Sequence, residues 1–276
     1  MKTAVLGHVE WLDFVRVPHL PRSGEILHAT EFWSDPAGGG AVAAVQLAKL
    51  AGSAVFLTAV GGDDLGVRTQ RRLSELGLEV HAAVRPEPQR RAITHLDGSA
   101  ERTITVLGTR LSPNRFDPLP YQELAKADAV YLTAGDAEVV RLARKAKVLV
   151  ATARVLPLLA EAGVYLDALV GSSLDPSEAY SDGDLNPAPG LVVRTCGSSG
   201  GWYRIDGEEY CRYPPTPLPG PAVDSYGCGD SFAAGLTYAL GARYAPAEAI
   251  RLAANCGAAV AAGKGPYSAQ LTSNEL

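Results

Sequence analysis

The sequence predicts an α/β fold in which helices cover a mostly parallel β-sheet. Short apolar segments alternate along the chain with segments whose apolar residues recur at helical spacing. Most of the short segments are apolar throughout, which is typical of strands buried on both faces of a parallel sheet. Because ligands of such sheets bind at the carboxyl ends of the strands, we expect the functional residues there.

The alternation predicts strands and helices in a regular order. The predicted strands are Thr3–Leu6, Ala54–Val60, Ala129–Thr133, Val148–Ala151, Ala168–Val170 and Leu191–Arg194. The predicted helices are Val42–Leu50, Gly66–Leu76, Glu138–Lys145, Val155–Ala162, Phe232–Leu240 and Pro246–Ala262. Their alternation favours crossover connections between parallel strands.

Two segments do not follow this alternation. Phe14–Trp33 contains scattered prolines and aromatic residues, and Ala92–Leu107 has the pattern of a hairpin that turns at Asp97–Ala100. We expect these segments to form a small second sheet, for which a lid is one interpretation. The lid segments are placed near residues 12–35 and 90–108 of a single domain that spans residues 1–276.

The composition is that of an ordinary soluble globular protein. The chain has 276 residues, of which 47% are hydrophobic and 20% are charged, and its formal net charge is −5. An acidic chain lacks the basic surface that binds nucleic acid, and the short run Gln89–Arg91 is interpreted as a solvated loop. The four cysteines have no C-x-x-C spacing and no paired histidines, so neither a disulfide framework nor a zinc site is predicted.

The N-terminal sequence and the lengths of the apolar runs indicate the cellular location of the protein. It runs directly into a strand-like segment without a signal-peptide pattern, and no apolar run approaches the roughly 18 residues that span a bilayer. We therefore expect a cytoplasmic protein with no membrane partner.

The segment Asp224–Asp230 combines carboxylates, glycines and the start of a helix. Gly227 and Gly229 bracket one small residue, Asp230 follows, and an apolar helical pattern begins beside it. Backbone N–H groups at a helix N-terminus, together with the helix dipole, bind anions, of which phosphate is the usual one. Asp230 lies where a carboxylate could take a proton from a hydroxyl group held before that site. The alternative is an aspartate that only caps the helix after a tight turn.

Four motifs of the chain, in this order, resemble those of the ribokinase-like (PfkB) carbohydrate kinases. They are P-R-S-G-E at 21–25, A-G-G-G at 37–40, V-G-G-D-D-L-G at 60–66 and D-S-Y-G-C-G-D at 224–230. The resemblance covers nearly the whole chain and implies a three-layer α/β/α sandwich with a mostly parallel central sheet and a β-sheet lid. It also implies transfer of the γ-phosphoryl group of ATP to a hydroxyl group of a sugar or a nucleoside.

The resemblance assigns roles within the Asp224–Asp230 segment. Asp230 would be the general base that accepts the proton of the substrate hydroxyl. The N–H groups of Gly227, Cys228 and Gly229 would stabilise charge on the transferring phosphoryl group. Both roles agree with phosphoryl transfer, in which catalysis is chiefly positioning and electrostatic stabilisation.

The resemblance also implies a nucleotide site. The segment that begins at Thr195 is similar to the family's T-x-G-x-x-G loop, so Thr195, Gly197 and Gly200 would contact the phosphates and ribose of ATP. Asn255 matches a position near the adenine, although a solvated asparagine on a helix explains it equally.

Metal sites are implied by two further similarities. Asp175 and Glu178 match the family's N-x-x-E motif for Mg²⁺ and phosphates, with aspartate in place of asparagine, and oxygen ligands suit Mg²⁺. A capped helix start explains the same two residues. Asp224, together with Gly263–Gly265, is similar to the monovalent-cation (K⁺) site of many members.

The substrate end departs from the family pattern. The resemblance assigns substrate contacts to Gly38, Gly39 and Gly40. The acid that binds ribose-like sugars falls at Glu10, and Asp13, on the opposite face of a strand, is expected to face solvent. Val42 stands where many members have asparagine, which leaves the specificity open. Arg154 follows a strand and either meets an anionic substrate or lies on the surface.

We therefore predict an ATP-dependent kinase of a sugar or sugar derivative. A nicotinamide enzyme and a P-loop kinase are disfavoured, since the chain lacks both glycine motifs. A nucleoside kinase, or a sugar- or nucleotide-binding protein without catalysis, remains open as an alternative. Lid strands of this family can pair across a dimer, which makes a homodimer through the lid a further expectation.

Overall fold

The computed structural model describes residues 1–98 and 100–275 of the chain. In chain order its strands are β1 (Thr3–Leu6), β2 (Glu10–Arg16), β3 (Glu31–Ala37), β4 (Ala54–Gly61), β5 (Leu78–Arg85), β6 (Arg91–Leu96), β7 (Arg102–Leu107), β8 (Ala129–Leu132), β9 (Val148–Thr152), β10 (Ala168–Ser172), β11 (Leu191–Thr195), β12 (Gly201–Ile205) and β13 (Cys211–Tyr213). The α-helices are α1 (Gly39–Ala51), α2 (Asp64–Glu75), α3 (Ala137–Ala143), α4 (Leu156–Ala162), α5 (Cys228–Gly241) and α6 (Pro246–Ala261).

A nine-stranded sheet in the order β13-β12-β11-β10-β9-β8-β1-β4-β5 forms the body. From β11 to β5 all neighbouring strands are parallel, whereas β12 and β13 join antiparallel. The carboxyl ends of the parallel strands therefore lie along one edge of the sheet, where ligands of open α/β folds bind. The predicted α/β architecture is confirmed.

Apolar residues of the strands pack alternately to the two faces of this sheet. Val5 belongs to a core with residues of α1, α5 and α6, while its neighbours Ala4 and Leu6 belong to a second core with residues of α3 and α4. This alternation follows from the two-residue repeat of a strand. Helices thus cover both faces, as the three-layer prediction requires.

A second sheet of four strands, in the order β3-β2-β6-β7, forms the lid sheet. Strands β2 and β6 are parallel, and the other two pairs are antiparallel. The predicted hairpin is present as β6 and β7, although Ser99 in its turn lies outside the described residues. Phe14 is fully buried, stacks on Trp33 of the neighbouring lid strand at 5.0 Å between ring centroids, and contacts Tyr226 edge-on at 5.2 Å. The contact with Tyr226 joins the lid sheet to the body.

The observed elements differ from the predicted ones in two respects. Strands β5, β12 and β13 were not predicted, because these strands, which lie at or next to the edges of the sheet, carry polar residues among their apolar ones. Helices α1 and α5 begin earlier than predicted, at Gly39 and Cys228, since glycines interrupt the apolar pattern there. The earlier starts bring the glycine motifs into the first turns of both helices.

Within residues 1–98 and 100–275, no helix has both the length and the apolar character needed to cross a bilayer.

Candidate active site

The Asp224–Asp230 turn is held by its own first carboxylate. Asp224 is fully buried, and its two oxygens accept the backbone N–H of Tyr226 at 2.8 Å and of Gly265 at 3.0 Å. Gly227 has a φ of 86°, and a side chain there would also press against Val42 at 3.1 Å. A left-handed conformation in a confined space requires glycine. The turn therefore has one fixed shape.

Helix α5 begins inside this turn with free N–H groups. The first helical hydrogen bond is donated by Ser231 to the carbonyl of Gly227, so the N–H groups of Cys228 and Gly229 have no acceptor within the helix. A Cβ built at Gly229 meets no atom within 4 Å. These N–H groups thus lie beside open space at the positive end of a 14-residue helix, which is a favourable arrangement for an anion.

Asp230 lies in the first turn of α5 and faces the start of α1. Its Oδ1 would be only 2.8 Å from a Cβ built at Gly39, so the carboxyl group lies against the glycine backbone. Burial raises the pKa of Asp230 to about 6, although the charges of Arg102 and Arg154 act in the opposite direction. The carboxyl group is therefore ionised at neutral pH and still basic enough to accept a proton.

The backbone conformation and close packing of the segment Gly38–Gly40 require glycine. Gly38 has a φ of 90°, and its N–H donates to the hydroxyl oxygen of Tyr226 at 3.0 Å. A Cβ on Gly40 would lie 2.6 Å from the carbonyl oxygen of His8. The structure thus brings this segment against the Asp224–Asp230 turn. Its predicted contacts with substrate stay a prediction.

Glu10 is buried at the start of β2, with 7% of its surface exposed. Its Oε1 lies 3.2 Å from Nε of Arg90 and 3.8 Å from Nε2 of His8. Burial raises the pKa of Glu10, and the charges of Arg90 and two further arginines oppose that shift. The predicted substrate acid therefore lies in a cationic environment.

The expectation that Gln89–Arg91 is a solvated loop is wrong, since its first two residues are not exposed and Arg91 begins β6. Gln89 is 3% exposed, and its side chain bonds to the N–H of Gly61 at 2.9 Å and to the carbonyl oxygen of Val9 at 3.0 Å. The carbonyl of Arg90 accepts the N–H of Trp11 at 2.9 Å. These bonds align the segment with β2 and direct Arg90 toward Glu10.

The V-G-G-D-D-L-G motif supports this same segment. The Asp63 carboxylate caps α2 by accepting the N–H of Gly66 at 3.0 Å and accepts the N–H of Gln89 at 3.1 Å. A Cβ on Gly61 would lie 2.1 Å from the backbone nitrogen of Gln89. The motif therefore acts on the site indirectly, by positioning the residue before Arg90.

His8 and Arg110 belong to the same cluster and were not predicted. His8 follows β1, hydrogen-bonds the Thr133 side chain at 3.3 Å, and has its pKa lowered to about 3, first by burial and then by Arg110 and Arg90. It is therefore neutral. A signal for His8 was available, because a polar residue directly after a buried strand lies at the ligand edge. Arg110 lies in a segment without periodicity, and nothing in the sequence singles it out.

Arg154 follows β9 at the ligand edge of the sheet and is exposed, and its contact with an anionic substrate stays a prediction. Its guanidinium pairs with Asp175 at 2.9 Å and with Glu178. The remaining oxygens of these acids accept N–H groups of Ser177 at 2.9 Å and of Ser172 at 2.8 Å. Every carboxylate oxygen thus has a donor from the protein. The pair does not fit a directly bound Mg²⁺ in this arrangement.

The other metal expectation concerns Asp224. Its oxygens already accept two N–H groups, and at Gly265 it is the N–H rather than the carbonyl that faces it. Among the described residues, no cluster of three or more histidine, cysteine, aspartate or glutamate side chains is arranged to hold a metal ion. The K⁺ site stays a prediction from the resemblance.

The predicted nucleotide residues lie at the carboxyl edge of β11. Thr195 ends that strand, and the loop after it closes through the N–H of Cys196, which donates to the carbonyl of Gly200 at 2.8 Å. Gly197 and Gly200 have positive φ values of 54° and 81°, which glycine adopts freely. Asn255 is exposed on α6. Their contacts with ATP stay predictions.

The expectation that Asp13 faces solvent is wrong. Its side chain is 14% exposed, accepts a hydrogen bond from Ser34 at 2.6 Å and pairs with Arg91 at 2.7 Å. Asp13 lies on β2 within the lid sheet, where the neighbouring strands supply both partners. It is therefore a structural residue of that sheet.

The lid sheet is bonded directly to the Asp224–Asp230 turn. Ser225 donates its N–H to the carbonyl of Ala100 at 3.1 Å, and Arg102 donates to both the carbonyl and the hydroxyl oxygens of Ser225 at 3.1 Å. Arg16 donates to the carbonyl of Val223 at 3.4 Å. Two lid strands, β2 and β7, thus hold the segment that leads to Asp230.

Comparisons with known proteins agree with this geometry. The chain matches the pfkB family carbohydrate kinases over residues 2–182 and 166–273. An ATP-dependent ribose-1-phosphate kinase of Halopiger xanaduensis is 29% identical over 288 residues, which cover 95% of this chain and 93% of that protein.

Two solved ribokinases show the same fold. The ribokinase of Thermotoga maritima has a TM-score of 0.78 at 20% identity, with 100% of this chain and 97% of that chain covered. The ribokinase of Arabidopsis thaliana, complexed with ribose and ATP, has a TM-score of 0.76 at 20% identity, with 99% and 96% covered. With its sequence matched almost end to end, the chain belongs to the pfkB family of carbohydrate kinases and is a phosphotransferase that acts on an alcohol group.

Proposed function

We propose that this kinase transfers the γ-phosphoryl group of ATP to a hydroxyl group of a sugar derivative, with Asp230 as the general base. The observation that carries the proposal is the position of the Asp230 carboxyl group. It lies in the first turn of α5, against Gly39, and its pKa is raised to about 6. A base with this pKa accepts a proton at neutral pH while remaining mostly ionised before the reaction.

The step balances as a direct displacement. The acceptor oxygen gives its proton to the Asp230 carboxylate and forms a bond to the γ-phosphorus, while the bond from that phosphorus to the bridging oxygen of ADP breaks. Free N–H groups of Gly227, Cys228 and Gly229 stabilise the charge on the phosphoryl oxygens. Arg154, which acts electrostatically on Asp230, adds positive charge at the same edge.

The nucleotide lies, in this proposal, on the loop that contains Thr195, Gly197 and Gly200. This loop follows β11, two strands from Arg154 at the end of β9. Mg²⁺ accompanies ATP in solution, but no step is assigned here to a metal held by Asp175 and Glu178, because their oxygens are bonded to protein donors.

The names of two similar proteins indicate which acceptors are the first candidates. The Halopiger relative is named for ribose-1-phosphate, and the Arabidopsis structure contains ribose. We therefore place ribose and its phosphorylated forms first among the acceptors. A nucleoside acceptor has no supporting observation in the described residues.

The test is ADP release with Mg-ATP and a panel of pentoses, pentose phosphates and nucleosides. Asp230→Asn keeps the shape of the side chain but cannot accept the proton, so we expect turnover to fall by about 10³-fold while ATP binding persists. Asp182→Asn, at a side chain that is 73% exposed, is the matched control and should retain turnover. Undiminished turnover in Asp230→Asn would refute the general base, and no turnover with any acceptor would favour a binding protein.

We also propose a homodimer through the lid sheet. Its edge strand β7 is exposed along its whole length, including Ile104, Val106 and Leu107. An exposed edge strand with apolar side chains is a template for pairing with a second chain.

A further inference from the structure

We propose that the acceptor carries a phosphate group of its own, bound by Arg90 and Arg110, so that the substrate class is sugar phosphates rather than neutral sugars. The inference rests on the proposed function, since it assigns a second subsite of the same cleft. It does not depend on which residue removes the proton.

The first argument is a local excess of positive charge. Three arginines act electrostatically on Glu10 and His8: Arg90, Arg110 and Arg154. Arg154 is paired with Asp175 and Glu178. Arg90 and Arg110 are left facing a single carboxylate, that of Glu10, in an otherwise acidic protein of net charge −5.

The second argument concerns Arg110. It is half-buried, and in the part of the chain that the structure describes it has no ion pair and no hydrogen bond from its side chain. Burial lowers the pKa of its guanidinium, and the neighbouring charge of Arg90 lowers it further. Holding a half-buried guanidinium unpaired beside a like charge costs free energy, which a bound anion recovers. The bidentate geometry of guanidinium matches phosphate oxygens.

The third argument concerns Arg90. Its Nε is buried and makes no hydrogen bond, although the Glu10 carboxylate lies 3.2 Å away. The carbonyl of Arg90 accepts the N–H of Trp11, and the preceding residue, Gln89, is fixed by the hydrogen bonds of its buried side chain. A guanidinium that is preorganised and incompletely bonded in this way is suited to an anionic ligand.

The subsite lies beside the proposed reacting group. Glu10, which contacts Arg90, lies 3.5 Å through its Cγ from a Cβ built at Gly38, and Asp230 Oδ1 lies 2.8 Å from a Cβ built at the next residue, Gly39. His8 is neutral, so the arginines supply the positive charge. Arg90, Arg110 and the Glu10 carboxylate together keep one net positive charge, which attracts an anion. The oxygens of a phosphate group can accept hydrogen bonds from both guanidinium groups at once, which favours phosphate over the two oxygens of a sugar acid.

The experiment compares kcat/KM for ribose, ribose 1-phosphate, ribose 5-phosphate and a pentonic acid in the wild type, Arg110→Met, Arg110→Lys and the control Arg71→Met. Arg71 forms an exposed pair with Glu75 on α2. We expect the wild type to prefer one of the phosphates over ribose by about 100-fold. Arg110→Met should reduce that preference about 100-fold, mainly through KM, and Arg110→Lys should restore part of it.

A second measurement separates this inference from the proposed function. Titration calorimetry with Asp230→Asn, whose expected turnover is about 10³-fold lower, should still detect the preferred sugar phosphate, and the double variant with Arg110→Met should not. An active Asp230→Asn with intact arginine dependence would refute only the base. Equal use of ribose and its phosphates by the wild type, preference for the pentonic acid, or an unchanged preference in a folded Arg110→Met would each refute the phosphate subsite.

Discussion

The two ends of the proposed catalytic cleft present different parts of the chain to negatively charged groups. At the proposed phosphoryl-transfer end, the Asp224–Asp230 turn presents backbone N–H groups. Gly227 of this turn is packed against Val42, and Gly229 faces open space. At the acceptor end, charged side chains such as Arg90 and Arg110 come from separate segments and surround Glu10. The first end is made of backbone and the second of side chains.

The difference follows from what each end must recognise. The triphosphate of ATP is the same in every member of the family, and backbone N–H groups at a helix start suit it without any particular side chain. The acceptor differs between members, and side chains from several segments can be exchanged singly. A backbone site should therefore be sensitive to a single methyl group, and a side-chain site to a single charge.

The largest expected effect comes from a substitution in the Asp224–Asp230 turn, where the site is made of backbone N–H groups. Gly229→Ala places a methyl group in the open space before α5, so kcat/KM should fall by about 100-fold through displaced phosphoryl geometry. The position is within a helix without a positive φ, and stability should not fall, since alanine favours helix by up to about 1 kcal/mol. Steady-state kinetics and thermal unfolding measure the two quantities.

The control for that substitution is Gly220→Ala, whose Cβ would meet nothing nearer than 3.9 Å. It should leave both turnover and Tm unchanged. Wild-type kcat/KM in Gly229→Ala would show that the open space is not used by the transferred group.

An effect of intermediate size comes from pH. Because Asp230 must be ionised to act as a base and its pKa is raised to about 6, log kcat/KM should rise with pH up to about 6 and then level. Below that point it should fall about tenfold per pH unit. A profile without a break near 6, at saturating ATP, would contradict the raised pKa.

The same shift affects stability with a defined sign. The pKa of Asp230 in the folded protein is above its ordinary value of 3.8, so stability is lost as the pH rises from about 4 to about 6. Asp230→Asn removes this cost and should raise the free energy of unfolding at pH 8 by about 3 kcal/mol, with little gain at pH 4. Urea unfolding at both pH values measures it.

The smallest expected effect concerns the hydrogen bonds between the lid sheet and the Asp224–Asp230 turn. Arg102→Met removes exposed hydrogen bonds to Ser225, each worth about 0.5–1.5 kcal/mol, and should lower kcat/KM about three- to tenfold. It also removes a positive charge that lowers the pKa of Asp230, so the break in the pH profile should move upward. Arg71→Met, at an exposed pair on α2, should change neither quantity.

Much of the body was predictable because its signals are local. Buried strands such as Ala168–Ser172 are continuous apolar runs, and the glycines of the Asp224–Asp230 turn lie within a few residues of the helix they precede. The same locality explains why the start of α5 was placed late: glycine weakens the helical pattern although Cys228 already belongs to the helix. The fold class and the family were therefore accessible from sequence.

The acceptor end of the site was not predictable from the sequence, because its residues come together only through long-range pairing. Arg90 was assigned to a solvated loop from its polar neighbours, yet the register of β6 on β2 and the bonds of Gln89 place it beside Glu10. Arg110 follows an exposed strand with no pattern that marks it. A charge cluster assembled from distant segments leaves no spacing in the sequence.

The hydrogen bonds between Ser225 and both Ala100 and Arg102 connect the position of the lid sheet to the position of Asp230. Any motion that lifts the hairpin away must break the N–H bond from Ser225 to Ala100, just before the turn that carries Asp230. We therefore expect opening of the lid sheet and loosening of the Asp224–Asp230 turn to be coupled. Water that enters the open cleft would then meet a displaced Asp230, which would limit hydrolysis of ATP without an acceptor.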